Sequence, residues 1–326
     1  MASVGTPTSE GERDLRALPK AHLHLHFTGS MRHETLQELA AAQHLRLPRT
    51  LTEQTALKVE PSARGWFRFQ RFYDAARKVV NSEAIMRRLL REAAEDDLAE
   101  GSVRLELQID PTSYAPFVGG ITPAIEIIVD EARAIERDLG ISMGIIVAAS
   151  RMRHPLDARI LARLAVRYAG TVIGFGLSND ERRGDTRAFA AAFRIARNGG
   201  LASMPHGGEL LGPPHIHEVV DSLGPTRLGH GVRSIEDPRL LETLIERGIA
   251  LEVCPASNVS LGVYREIGDV PVPQLARHGA TIALSADDPL LFGSRLLAQY
   301  EAVRAMGMSD REIADLAAGS IRASRM

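Results

Sequence analysis

Short apolar runs recur along this chain at 22–26, 103–109, 141–148, 171–175, 201–205, 227–229, 250–253 and 281–284. Each has the length of a β-strand, and polar or turn-forming residues follow it. Between the runs, apolar residues fall at three- and four-residue spacing over 82–100, 123–139, 157–168, 185–197 and 237–247, which predicts amphipathic helices. Ser82, Asp157, Asp185 and Asp237 open these stretches, residue types that cap the free amides of a first helical turn. Strands alternating with helices in this way predict an α/β fold, a single (β/α)8 barrel of the TIM type over residues 15–326. An open doubly wound sheet is the rival, but no Gly-rich phosphate loop follows the first strand.

One segment breaks the alternation. Between the first two strands, over about 31–101, the pattern is mostly helical and reads as an insertion. Its centre carries Trp66, Phe67, Phe69, Phe72 and Tyr73 in a chain with only 5% aromatic residues. Two readings stand: a cap that packs on the barrel, or a lid that lines a pocket and excludes water.

The polar residues fall where a barrel enzyme needs them. His24 and His26, Arg151, Asn179, His206 and Glu209, His230, Ser257 and Asn258, and Asp287 and Asp288 lie at or just beyond predicted strand C-termini. Barrel enzymes build their sites on that face. Residues two apart in a strand point the same way, so His24 and His26 can present both imidazoles to one side. With His206 and one carboxylate they make a set of the kind zinc takes.

Two glycines after His206 let the backbone turn sharply and hold Glu209 over a pocket, where apolar surroundings raise a carboxyl pKa and suit a general acid. The alternative there is a Gly-rich turn with a solvated Glu. His230, between Gly229 and Gly231, can serve as a base. Asp287 and Asp288 precede Pro289, so the chain can turn and bring both to the pocket. The alternative for this pair is a helix N-terminus, where carboxylates are favourable anyway.

Composition narrows the class. The chain has 326 residues, 44% hydrophobic and 25% charged, with a formal net charge of -2. That balance gives no reason to expect nucleic-acid or anionic-membrane partners. Cys254 is the single cysteine, so no internal disulfide forms and a reducing compartment fits. There is no apolar run of membrane-spanning length, and a cytoplasmic protein is expected. The polar stretch 1–14 has no apolar signal region and reads as a disordered tail.

Taken together, several segments resemble the adenosine deaminase family of zinc-dependent purine deaminases. They are Leu18-Pro19-Lys20 with His24-Leu25-His26 and Gly29, His206-Gly207-Gly208-Glu209, Leu228-Gly229-His230-Gly231, Cys254-Pro255 with Ser257-Asn258, and Asp287-Asp288-Pro289-Leu290. The stretch Ala318-Gly319-Ser320-Ile321-Arg322-Ala323-Ser324 is similar to that family's C-terminal helix. The resemblance implies a (β/α)8 barrel with one zinc ion per chain held by His24, His26, His206 and Asp287. It implies that His230 orients or deprotonates a zinc-activated water, with Asp287 assisting. Glu209 then protonates the ring nitrogen beside the amino-bearing carbon, ammonia leaves, and Asp288 holds the purine's imidazole-ring nitrogen. The implied partner is a small adenine nucleoside.

Two departures from the family pattern bear on the substrate. Adenosine deaminases have Asp at the second position after the histidine pair, for the sugar 5′-hydroxyl, and adenine deaminases usually have Glu. This chain has Thr28, which suits a nucleoside with a larger 5′ group. The family's Asp-Leu-Ala-Gly-Asp-Glu reads here Gly176-Leu177-Ser178-Asn179-Asp180-Glu181. Asn179 replaces a glycine whose amide meets the purine, which implies a remodelled sugar side, and Gly176 and Asn179 are substrate-binding candidates.

Arg64, Arg68 and Arg71 in the insertion are candidates to clamp a carboxylate, or else form a solvated helix face. The favoured expectation is deamination at the 6-amino group of a 5′-substituted adenosine, with aminodeoxyfutalosine of a menaquinone route the named candidate. Adenosine and then adenine follow it, and a barrel that binds purine nucleosides without turnover is the alternative of another class.

Overall fold

A computed structural model describes residues 13–325. Eight parallel strands lie in sequential order: β1 Lys20–His26, β2 Ser102–Ile109, β3 Ser142–Ser150, β4 Val172–Ser178, β5 Ala202–Gly207, β6 Arg227–His230, β7 Ala250–Val253 and β8 Ile282–Leu284. Beyond β8 the chain returns to β1, where His26 N–H donates to the Asp287 carbonyl (3.0 Å) and Asp287 N–H to the His24 carbonyl (3.1 Å). These bonds close a (β/α)8 barrel, as the alternation predicts. Four helices separate β1 from β2: α1 His33–Ala42, α2 Arg49–Thr52, α3 Ala63–Arg77 and α4 Glu83–Ala99.

The simple alternation expected of β1 does not hold along its whole length. Its pairing with β2 advances from His22↔Leu105 to Leu25↔Leu107, three residues against two, which is a β-bulge. Before the bulge, Ala21 and Leu23 pack with Ala250 and Ala283 inside the barrel. After it, Leu25 joins the main core between strands and helices. His22 therefore faces α4, whereas His24 and His26 face the centre. One extra residue changes the side on which the histidines lie.

The barrel interior holds charge as well as carbon. Arg227, Glu106 and Glu252 are all fully buried, and the guanidinium donates to both carboxylates and to the Ala323 carbonyl. Ala323 ends the final helix, Asp310–Ala323, which starts with a reciprocal Ser309–Glu312 cap. Ser320 on that helix accepts the Ala21 N–H (2.9 Å), fixing the start of β1.

Most of the tail expected over 1–14 lies outside the described residues. At Arg13 the chain is already held, with its N–H on Asp310 (2.8 Å) and its carbonyl accepting from Arg304 (2.7 Å). Among the described residues no helix is long and apolar enough to cross a membrane.

Candidate active site

The bulge in β1, the end of β5 and the turn after β8 bring four donors close together. The Nε2 atoms of His26 and His206 lie 3.3 Å apart. Asp287 Oδ1 is 3.1 Å from His26 Nε2 and 3.6 Å from His24 Nε2. His24 Nδ1 is 2.8 Å from Glu252 Oε2, so its proton sits on that side and its Nε2 lone pair points to the centre. That Nε2 is buried and has no hydrogen-bond partner. The ligand atoms of His24, His26 and His206 all lie within 4.8 Å of one another, and Asp287 groups with His24 and His230 and with His26 and Asp288. Imidazole and carboxylate donors gathered in this way fit a divalent metal ion.

The backbone at the site is strained. Asn179, His230 and Asp287 have φ of 83°, 64° and 63°, in the left-handed region that side chains disfavour. His230 ends β6, and Asn179 and Asp287 lie just beyond β4 and β8, where the turn aims each side chain over the barrel. At Gly29 a Cβ would collide with the Asp288 carboxylate, so only glycine leaves that side chain its place.

Four residues to which the sequence assigns no role hold the site in position. Glu252 orients His24. Glu181 accepts the N–H groups of Glu209, Leu210 and Leu211 (3.1, 2.8 and 2.8 Å), fixing the turn that carries Glu209. Ser257 donates to Asp287 Oδ2 (2.6 Å), and Arg151 donates to the His206 carbonyl (2.6 Å). A charged residue inside the apolar run 250–253 was the signal for Glu252. Nothing in the spacing distinguishes Glu181.

Burial separates the acids. Glu209 lies well above the usual carboxylate range because it is buried and faces Asp287. Asp288 is pushed up to about 8 by burial and by Asp287. Burial would also raise Asp287, but the hydrogen bond and charge of His26 outweigh it and keep Asp287 ionised. Burial lowers His230 to about 3, so it is a neutral imidazole with Nε2 3.7 Å from Glu209 Oε1. For His26, burial is outweighed by Asp288 and Asp287, and its pKa rises to about 9. The result is a protonated acid and a neutral base side by side.

These groups line a cavity of about 330 Å3. His26, Asn179, His206, Glu209, His230, Asp287 and Asp288 all reach it. The insertion contributes one face of α3, namely Trp66, Phe69, Gln70, Tyr73 and Arg77, at the spacing of a single helical stripe. Thr28 is fully buried, and its hydroxyl bonds to the Tyr114 hydroxyl (2.6 Å) on the cavity wall. Gly176 lies in β4 outside this lining, with Ala148 and Met204 close around it.

The structure does not bring Arg64, Arg68 and Arg71 to this cavity. They line a separate groove on the opposite face of α3 beside Phe67 and Phe72, because helix phase turns them outward. Two other arginines reach the cavity instead. Arg77 donates to Ser113 (3.1 Å) and Arg153 lies 3.9 Å from Asp110, so both rest on the turn after β2. Their side chains are 28% and 47% exposed, which puts them at the cavity's opening, whereas Glu209 and Asp287 are buried.

The family described as adenosine deaminase matches this chain over residues 19–326. A protein of Streptomyces coelicolor, named provisionally as an adenosine/adenine deaminase, is 59% identical over 97% of this chain and 94% of its own length. The crystal structure of adenine deaminase from Arthrobacter aurescens superposes with a TM-score of 0.86 at 27% identity, covering 95% of this chain and 94% of that one. The Arabidopsis N6-mAMP deaminase gives a TM-score of 0.82 at 25% identity, covering 95% of this chain and 93% of that one.

Proposed function

This chain belongs to the adenosine deaminase family and is a hydrolytic deaminase; we propose that it releases ammonia from the 6-amino group of an adenine nucleoside carrying a 5′ substituent. One zinc ion is proposed to be held by His24, His26, His206 and Asp287, imidazole and carboxylate donors of the kind zinc takes, drawn from the overlapping groups gathered there. Bound there, zinc supplies Lewis acidity and lowers the pKa of a coordinated water.

Glu209 is the proposed general acid. Its raised pKa keeps a proton available near neutral pH for the ring nitrogen beside the amino-bearing carbon. His230, held as neutral imidazole, accepts the proton of the attacking water, and ionised Asp287 assists. Asp288 holds the purine's imidazole-ring nitrogen. That nitrogen is an acceptor, so the protonated carboxyl favoured by burial can donate to it. Asn179, with Gly176 beneath it in β4, is proposed to shape the sugar side.

The observation that carries the 5′-substituent reading is the opening of the cavity. Thr28 offers no carboxylate, and its hydroxyl is committed to Tyr114. A free 5′-hydroxyl therefore finds no charged acceptor at that position. The aromatic stripe of α3 and the cations Arg77 and Arg153 lie beyond it, and they suit a longer group that ends in an anion. This replaces Arg64 and Arg68 as the proposed anion contacts and makes the insertion the proposed lid. Aminodeoxyfutalosine, with its 5′-linked carboxyphenyl group, remains the named candidate, placing the enzyme on a menaquinone route in the cytoplasm.

A substrate panel tests the reading: kcat/KM for aminodeoxyfutalosine, AMP, methylthioadenosine, adenosine and adenine. At least a tenfold preference for a 5′-substituted nucleoside over adenosine is expected. Equal or better turnover of adenosine or adenine overturns it.

A further inference from the structure

His22, the third histidine of β1, takes no part in the chemistry above, yet it is 1% exposed and fully hydrogen-bonded. Its Nδ1 lies 3.0 Å from both carboxylate oxygens of Asp97 on α4. Its Nε2 accepts the backbone N–H of Ala286 at 3.0 Å. An amide N–H can only donate, so Nε2 carries the lone pair and Nδ1 carries the proton given to Asp97. The tautomer is fixed by geometry.

Ala286 immediately precedes Asp287, whose left-handed backbone is strained. Such a conformation persists only where its surroundings over-determine it. Here Asp287 N–H is held by the His24 carbonyl and the Asp287 carbonyl by His26 N–H. His22 adds a third hold, one residue earlier, and it can do so because the bulge turns it away from the centre while His24 and His26 stay inward.

We propose that His22 is a positioning residue: Asp97, His22 and the Ala286 amide form a relay that holds Asp287 at the angle its metal-facing oxygen requires. The proposal rests on Asp287 being a metal ligand. It makes β1 both the carrier of two ligands and the device that places a third. His22 touches neither substrate nor metal.

The test compares three full-length proteins by zinc affinity, measured by chelator competition. His22→Gln keeps an acceptor for Ala286 and a donor for Asp97, whereas His22→Leu fills the space with neither. Loss of such an outer hydrogen bond typically weakens metal binding about 10- to 100-fold. His22→Leu is expected to fall in that range, with kcat reduced more than KM, and His22→Gln to recover most of the affinity. Wild-type affinity in His22→Leu overturns the relay, as does a loss in His22→Gln as large as in His22→Leu. Wild-type protein that binds no zinc overturns the metal centre and the relay with it.

A measurement on the wild-type protein needs no variant to fold. The imidazole 15N spectrum of His22 is expected to show an unprotonated Nε2, and a protonated Nε2 overturns the proposal.

Discussion

Glu252 Oε2 lies 2.8 Å from His24 Nδ1, and both side chains are completely buried. Burial would raise the Glu252 pKa, but Arg227 and the His24 hydrogen bond outweigh it and hold the carboxylate ionised. The interior ion cluster of the barrel is thereby tied directly to an imidazole of the proposed metal set. Glu252→Gln removes the charge but keeps the shape. Zinc affinity, read by chelator competition, is expected to fall about 10- to 100-fold. The melting temperature should fall too, because Arg227 loses one of its two buried carboxylates.

Glu209→Gln tests the general acid. The variant retains the turn, because Glu181 binds the backbone there and not the Glu209 side chain. The expected result is a loss in kcat of about 100- to 10,000-fold with KM little changed. The pH dependence follows from the direction of the shift. A carboxyl whose pKa is raised keeps its proton to higher pH, so kcat falls as pH rises through that pKa. A kcat–pH profile flat toward the alkaline side would argue against Glu209 as proton donor.

How much of this was legible in the sequence depends on which property is asked for. The strands and helices follow from periodicity, and the clustered polar residues of the cavity follow from polar side chains at strand ends. The side on which a residue lies is a question of phase, and phase is where spacing misleads. A one-residue bulge puts His22 and His24 on different sides of β1, although a two-residue spacing places them together. In α3 the aromatic and arginine-rich sequence is evident, but which stripe faces the barrel depends on packing. Phe69 stacks on Phe292 at 5.6 Å, and that contact turns Arg64 and Arg68 outward and Arg77 inward. Glu181 matches the family stretch, but its role was not legible for another reason: its partners are backbone amides, which leave no trace in residue identity.

Arg77→Ala distinguishes an anion contact from a purely structural arginine. A charged hydrogen bond contributes about 1.5–3 kcal/mol, so kcat/KM for substrates with an anionic 5′ group should drop about 10- to 100-fold. Turnover of plain adenosine should change far less. Arg64→Ala and Arg68→Ala serve as controls, since both residues line the outer groove, and neither should alter the ratio. An equal loss on charged and uncharged nucleosides would assign Arg77 a structural role through Ser113 and Asp74.

The most direct test of the account is metal dependence of ammonia release. Purified chain is stripped with a chelator, reloaded with graded zinc, and assayed on aminodeoxyfutalosine and adenosine while bound metal is counted. The account predicts no release from the stripped protein and restoration that saturates at one zinc per chain. It also predicts that His206→Ala abolishes both binding and turnover. Ammonia release that survives complete metal removal, or zinc bound at one per chain with no release from any adenine nucleoside, would contradict it.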